Sequence, residues 1–143
     1  MTAGKYIRSG PVWDDWPETL GFPTVVEPKE YFKKLSNQLI EFLDITEDKK
    51  ILDVGCGRGH LLETLALNVN LINQPVGVEP VKHEDFISQN VKLYHSSINS
   101  FLNENNSQFD LVILKQVLHI LTLVERKNFY HDIKNNINED AHI

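Results

Sequence analysis

Glycine occupies every second position of Gly55-Cys-Gly57-Arg-Gly59, between the apolar run Ile51-Leu-Asp-Val54 and the leucine-rich stretch His60-Leu-Leu-Glu-Thr-Leu-Ala-Leu67. A short apolar run that ends in glycine reads as a buried strand. Leu61, Leu62, Leu65 and Ala66 recur at helical spacing, so the glycines form the turn between a strand and a helix. Glycine lets the backbone bend sharply and lets a ligand come close. The helix that follows offers N–H groups with no acceptor in its own first turn. Glu79 ends the next strand, 20 residues after Gly59. At that separation an acidic side chain accepts hydrogen bonds from ribose hydroxyls. The segment Ile51–Leu62 is therefore read as a nucleotide-cofactor loop.

Spacing narrows the nucleotide. A dinucleotide fingerprint, G-x-G-x-x-G, needs its third glycine at the sixth position for close helix–strand packing, and His60 stands there. A phosphate-binding P-loop needs Gly-Lys-Ser/Thr, which is missing. The G-x-G-x-G form has no pyrophosphate to cradle. It suits a zwitterionic amino-acid tail and a sulfonium. An NAD-dependent oxidoreductase is kept as an alternative with the wrong glycine spacing.

The rest of the chain alternates. Pro28 opens a helix, and Tyr31, Phe32, Leu35, Leu39, Phe42 and Leu43 give residues 29–43 an amphipathic pattern. Val76–Glu79 is a second strand, stopped by Pro80, and Val91–Tyr94 a third. Ser96 or Ser97 caps a short helix that buries Ile98, Phe101 and Leu102. Leu111–Leu114 is a fourth strand, apolar throughout and so patterned for burial on both faces. Thr122 and Glu125 form a capping box, and the helix after them carries Phe129, Ile133 and Ile137 at intervals of four. A helix followed by β-α-β-α-β-α-β-α predicts an α/β fold, a doubly wound and mostly parallel sheet. Residues 1–28 read as an irregular arm punctuated by Pro11, Pro17 and Pro23, and residues 29–143 as the domain. Trp13, Trp16 and Phe22 in the arm either pin it to the domain or form a substrate-side lid.

Composition excludes several classes. The chain has 143 residues, 41% of them hydrophobic, which suits one domain with a real core. A net charge of −6 argues against a duplex nucleic-acid binder. Cys56 is the single cysteine, so no internal disulfide forms and a reducing, cytoplasmic setting is expected. No run approaches a membrane span, and Met1–Gly10 lacks a signal core. No metal site is expected.

Three segments together carry a resemblance. Asp53-x-Gly55-x-Gly57-x-Gly59 resembles motif I of the class I S-adenosylmethionine-dependent methyltransferases. Gly77-Val-Glu79-Pro80 is similar to their second motif. Phe109-Asp-Leu-Val-Ile-Leu-Lys-Gln-Val-Leu-His119 is similar to their fourth strand and the turn beyond it. The resemblance covers roughly Tyr31 to Ile143 and implies a Rossmann-like core with S-adenosylmethionine as cofactor. It implies that Asp53 and the backbone of Gly55, Cys56, Gly57 and Gly59 hold the methionine moiety. Glu79 would bind the ribose hydroxyls and Pro80 would lie against the adenine. An acidic residue often follows the third strand in the family, near the adenine amino group. Here Ser97 and Ile98 take that place, with a serine hydroxyl or a backbone group as the substitute. Lys115 and Gln116 would face cofactor and substrate. Methyl transfer from a sulfonium is an in-line displacement in which positioning supplies much of the catalysis. Oxygen or carbon acceptors need a base, and His119 is the candidate; its alternative role is a helix-start residue bonded to backbone.

The chain departs from the family at its end. The family fold has seven strands, and four are secure here. Ile137–Ile143 stands where a fifth would begin. The expectation is thus a core truncated at the start of its fifth strand, with Leu111–Leu114 left at an exposed sheet edge. Such an edge invites a second copy or a completing partner. Two readings follow: a methyltransferase with a small-molecule acceptor, or a non-catalytic fragment that binds cofactor or a partner.

Overall fold

The computed structural model describes residues 28–81, 89–115 and 117–143. The arm residues 1–27, Trp13, Trp16 and Phe22 among them, and Gln116 lie outside the described residues. The elements are α1 (Pro28–Leu43), β1 (Ile51–Val54), α2 (His60–Val69), β2 (Val76–Val78) and β3 (Lys92–Tyr94). They continue with α3 (Ile98–Glu104), β4 (Phe109–Ile113), α4 (Leu123–Asp132), a 3-10 turn (Ile133–Asn135) and β5 (Ile137–His142). The strands form one sheet in the order β3-β2-β1-β4-β5, every pair parallel. This is the doubly wound, Rossmann-like α/β architecture.

Parallel strands need both faces covered, and β1 shows how. All four of its residues are buried. Leu52 and Val54 pack with Phe101 and Leu102 of α3 and with Phe129 and Ile133 at the end of α4. Ile51 packs on the other face with Leu61, Leu62 and Leu65 of α2, and Phe32, Leu35 and Leu39 of α1 close over it. Ser36 is fully buried between the two helices, where its Oγ accepts from Asn68 Nδ2 at 3.2 Å. The order reverses beside β1, so the crevice beyond the carboxyl ends of β1 and β4 is where such a sheet binds ligands.

Both predicted caps are present. Ser97 caps α3, its Oγ accepting from Ser100 N at 3.2 Å. At α4, Thr122 Oγ1 accepts from Glu125 N at 3.2 Å, and Glu125 Oε2 accepts from Thr122 N at 2.6 Å. Thr122→Ala is expected to lower stability by about 1 kcal/mol. The loss would be read as a lower urea midpoint with an unchanged slope.

Two expectations are corrected at the C-terminal end. Ile137 does not continue the preceding helix, although it keeps the interval of four. Asn136 stops the helix first. It is buried, its Nδ2 donates to Leu102 O and Asp132 O, and its carbonyl accepts from Phe109 N at 2.8 Å. That last bond passes the chain to β4, and Ile137 becomes the first residue of β5. The fourth strand is therefore no exposed edge: β1 and β5 flank it, and it runs from Phe109 to Ile113. Asp110 fastens this region, its Oδ2 accepting from Lys50 N at 2.8 Å and its Oδ1 from Asn138 Nδ2 at 2.6 Å. The outer edge belongs to β5, where Glu139 and Asp140 are exposed.

Candidate functional site

The glycine loop is anchored by backbone. Gly55 N and Cys56 N both donate to Val78 O, at 2.7 and 3.3 Å, which ties the exit of β1 to the end of β2. All three loop glycines have positive φ, at 71° for Gly55, 58° for Gly57 and 79° for Gly59. What surrounds them differs. A Cβ on Gly55 would lie 2.5 Å from Val117 Cγ2, so the segment after β4 packs directly on the loop. A Cβ on Gly77 would lie 2.5 Å from Cys56 Sγ, which presses the loop against β2 from the other side. A Cβ on Gly57 would meet nothing within 4 Å. The loop is thus closely packed at Gly55 and at Cys56 and open at Gly57.

Glu79 stands at that opening. Its Oε2 accepts from Gly57 N at 3.0 Å and its Oε1 from Val81 N at 3.1 Å. Two backbone donors fix the carboxylate, and each oxygen keeps a lone pair for another donor. α2 begins immediately after the loop with no side-chain cap. Its first-turn N–H groups therefore favour an anionic or carboxylate group there.

Asp53 is the buried charge of the site, 4% exposed at the end of β1. Burial pushes its carboxyl up to about 7; nearby Lys115 opposes that rise and Glu79 adds to it. Burial also lowers the Lys115 ammonium, with Asp53 pulling it back. Lys115 Nζ lies 5.3 Å from the centre of the Tyr31 ring. Tyr31 meets Phe32 edge-on at 5.2 Å, and Phe32 lies 5.6 Å from the His60 ring. Burial pushes the Tyr31 hydroxyl up. The Cys56 thiol is pushed up as well, first by burial and then by the charges of Asp53 and Glu79. It stays a thiol, packed against Gly77, and is no nucleophile.

The structure thus brings Asp53, Gly55, Cys56, Gly57, Glu79 and Lys115 together. Gly59 is buried at the start of α2, and Pro80 is exposed beside Glu79. Ser97 serves its helix: its hydroxyl donates to Ser100 Oγ at 3.0 Å and accepts from Ser100 N, leaving one lone pair. The Ile98 side chain belongs to the core. His119 is exposed on the turn after β4, two residues beyond Val117. Among the described residues no group of His, Cys, Asp and Glu is arranged to hold a metal ion, and no helix is long and apolar enough to cross a membrane. Tyr31, Phe32 and Val117 were not singled out for the site by the sequence. Tyr31 and Phe32 read as core positions of an amphipathic helix, and no local signal marks the part of them that reaches Lys115 and His60.

Residues 28–136 match the family described as methyltransferase domain. No curated protein matches the sequence. The fold is similar to that of a SAM-dependent methyltransferase from Archaeoglobus fulgidus, at TM-score 0.63 and 17% identity, over 88% of this chain and 53% of that one. A putative S-adenosyl-L-methionine-dependent methyltransferase from Methanococcus maripaludis gives TM-score 0.66 at 13% identity, over 94% and 60%. Coclaurine N-methyltransferase bound to N-methylheliamine and SAH gives 0.61 at 14%, over 83% and 37%. The chain therefore spans between 37% and 60% of the length of these three structures.

Proposed function

This chain belongs to the methyltransferase-domain family, and we propose that it binds S-adenosylmethionine in the glycine loop and transfers its methyl group to a small-molecule acceptor. One observation carries the reading. The Glu79 carboxylate is held at the mouth of the loop by Gly57 N, where the missing side chain of Gly57 leaves open space. A ribose diol fits the carboxylate, and the open space at Gly57 fits the sulfonium side of the ligand. The amino-acid tail would meet the Gly55–Gly59 backbone and Asp53.

S-adenosylmethionine, when bound, supplies a methyl group already activated on sulfur. The chain's own residues then position and shield. Glu79 fixes the ribose, Asp53 receives the methionyl ammonium, and Pro80 borders the adenine. Ser97, through its remaining lone pair, and the backbone at Ile98 face the adenine amino group. Lys115, just beyond β4, faces both cofactor and acceptor. A nitrogen or sulfur acceptor needs little more than alignment. For an oxygen or carbon acceptor, His119 is the candidate base.

The small-molecule class is supported by the net charge of −6, which disfavours a polyanionic acceptor, and by N-methylheliamine in the coclaurine enzyme. Purified protein incubated with S-adenosylmethionine and a panel of small amines, phenols, thiols and carboxylates is expected to give a methylated product. Binding of S-adenosylhomocysteine without turnover on any of them would instead favour a non-catalytic, cofactor-binding role. Glu79→Ala is expected to weaken S-adenosylhomocysteine binding by about 1.5–3 kcal/mol, the scale of hydrogen bonds to a charged acceptor. An unchanged affinity would displace Glu79 from the ribose. His119→Ala is expected to lower kcat on an oxygen acceptor at least roughly tenfold, with cofactor affinity kept. Full activity would remove the base.

A further inference from the structure

Three polar groups from separate elements converge at the carboxyl end of the sheet. Asp53, the penultimate residue of β1, lies beside its register partner Ile113 at the end of β4, and Lys115 follows Ile113 by two residues. Tyr31 comes from the start of α1, and its ring lies under the Lys115 ammonium at 5.3 Å. Ile113 itself packs in the cluster that α1 and α2 cover, so the three groups meet on that side of the sheet. Lys115 is thus half-buried against the Tyr31 ring, on the side of the sheet that carries Asp53.

We propose that Lys115 is a positioning residue, whose ammonium, held over the Tyr31 ring, orients the Asp53 carboxylate toward the methionyl ammonium of the cofactor and so couples the start of α1 to cofactor binding. This rests on the reading that Asp53 receives the amino-acid end of S-adenosylmethionine. The charged groups acting on Asp53 are Glu79, just after β2, and Lys115, two residues after β4; the Cys56 thiol of the loop is neutral. Lys115 is the cation that opposes both burial and Glu79.

A pH consequence separates this role from a merely structural one. An ammonium ligand pairs with the Asp53 carboxylate and not with its acid form. Asp53 sits at about 7, so wild-type affinity for S-adenosylhomocysteine is expected to fall as pH drops below that value. Lys115→Met removes the opposing cation, and the decline then begins at a higher pH.

The experiment is S-adenosylhomocysteine affinity by calorimetry at a series of pH values from about 6 to about 8.5. Lys115→Met is expected to bind about fivefold more weakly at pH 7, where a one-unit displacement takes the ionised fraction of Asp53 from about a half to about a tenth, with the deficit widening toward about tenfold at pH 6 and narrowing as pH rises. Lys115→Arg and Tyr31→Phe should keep the wild-type profile, Tyr31→Leu should move it toward that of Lys115→Met, and Asp53→Asn should flatten it. A Lys115→Met protein with the wild-type profile, or with a loss equal at every pH, would overturn the proposal. Should that variant not fold, a wild-type profile in folded Tyr31→Leu would overturn it too. Failure of the wild type to bind S-adenosylhomocysteine at any pH would refute the underlying cofactor reading instead.

Discussion

Gly57→Val is expected to abolish cofactor binding, with at least about a hundredfold loss of S-adenosylhomocysteine affinity, or roughly 3 kcal/mol. The reason is spatial. A Cβ at 57 would meet nothing within 4 Å, so the valine side chain starts into the open space where the proposed cofactor lies. The fold pays separately for the backbone. Residue 57 has φ 58°, and a branched side chain there costs about 1–2 kcal/mol or more. The neighbouring glycine behaves differently. Gly55→Ala places its Cβ 2.5 Å from Val117, so it damages packing between the loop and the segment after β4. A thermal melt beside each titration distinguishes the two. Gly57→Val should lose far more binding than its stability loss explains, whereas Gly55→Ala should lose stability first. Wild-type affinity in folded Gly57→Val would show that the ligand does not use this opening.

Asp53→Asn is expected to make the unliganded protein more stable near pH 8 while weakening cofactor binding. The Asp53 carboxyl is raised from the ordinary 3.8 to about 7. The folded protein therefore holds a proton between those values that the unfolded chain has released. Stability falls as pH rises through that window, and the full cost is present above about 7. Asparagine carries no charge to bury. The interval sets a ceiling of about 4 kcal/mol. The amide still needs hydrogen-bond partners, so a gain of about 1–3 kcal/mol is expected. The gain should vanish as pH falls toward about 4, and urea unfolding at pH 5 and pH 8 would measure it. A protein keeps a destabilising buried charge where function needs it, so the same variant should bind S-adenosylhomocysteine more weakly by about 1.5–3 kcal/mol. A gain in stability without a loss in binding would take Asp53 out of the cofactor site.

Much of this site was legible in the sequence because its chemistry is local. The Gly55–Gly59 spacing lies within one turn, and Glu79 follows at a distance set by one βαβ unit, so both could be placed before the fold was known. The strands were legible because apolar runs alternated with helical patterns. What escaped depends on tertiary packing. Tyr31 and Phe32 have the spacing of core residues, and only the crossing of α1 over the strand ends brings them to Lys115 and His60. Val117 gains its place beneath Gly55 from the turn after β4. Ile137 kept the helical interval, but the buried Asn136 had already redirected the backbone to β4. The fifth strand therefore formed where an exposed edge was expected.

Calorimetric titration of the purified wild-type chain with S-adenosylhomocysteine, and separately with NAD, tests the cofactor assignment most directly. Saturable binding of S-adenosylhomocysteine at one site, with no heat from NAD, is the expected result. Binding of NAD with none of S-adenosylhomocysteine would contradict it.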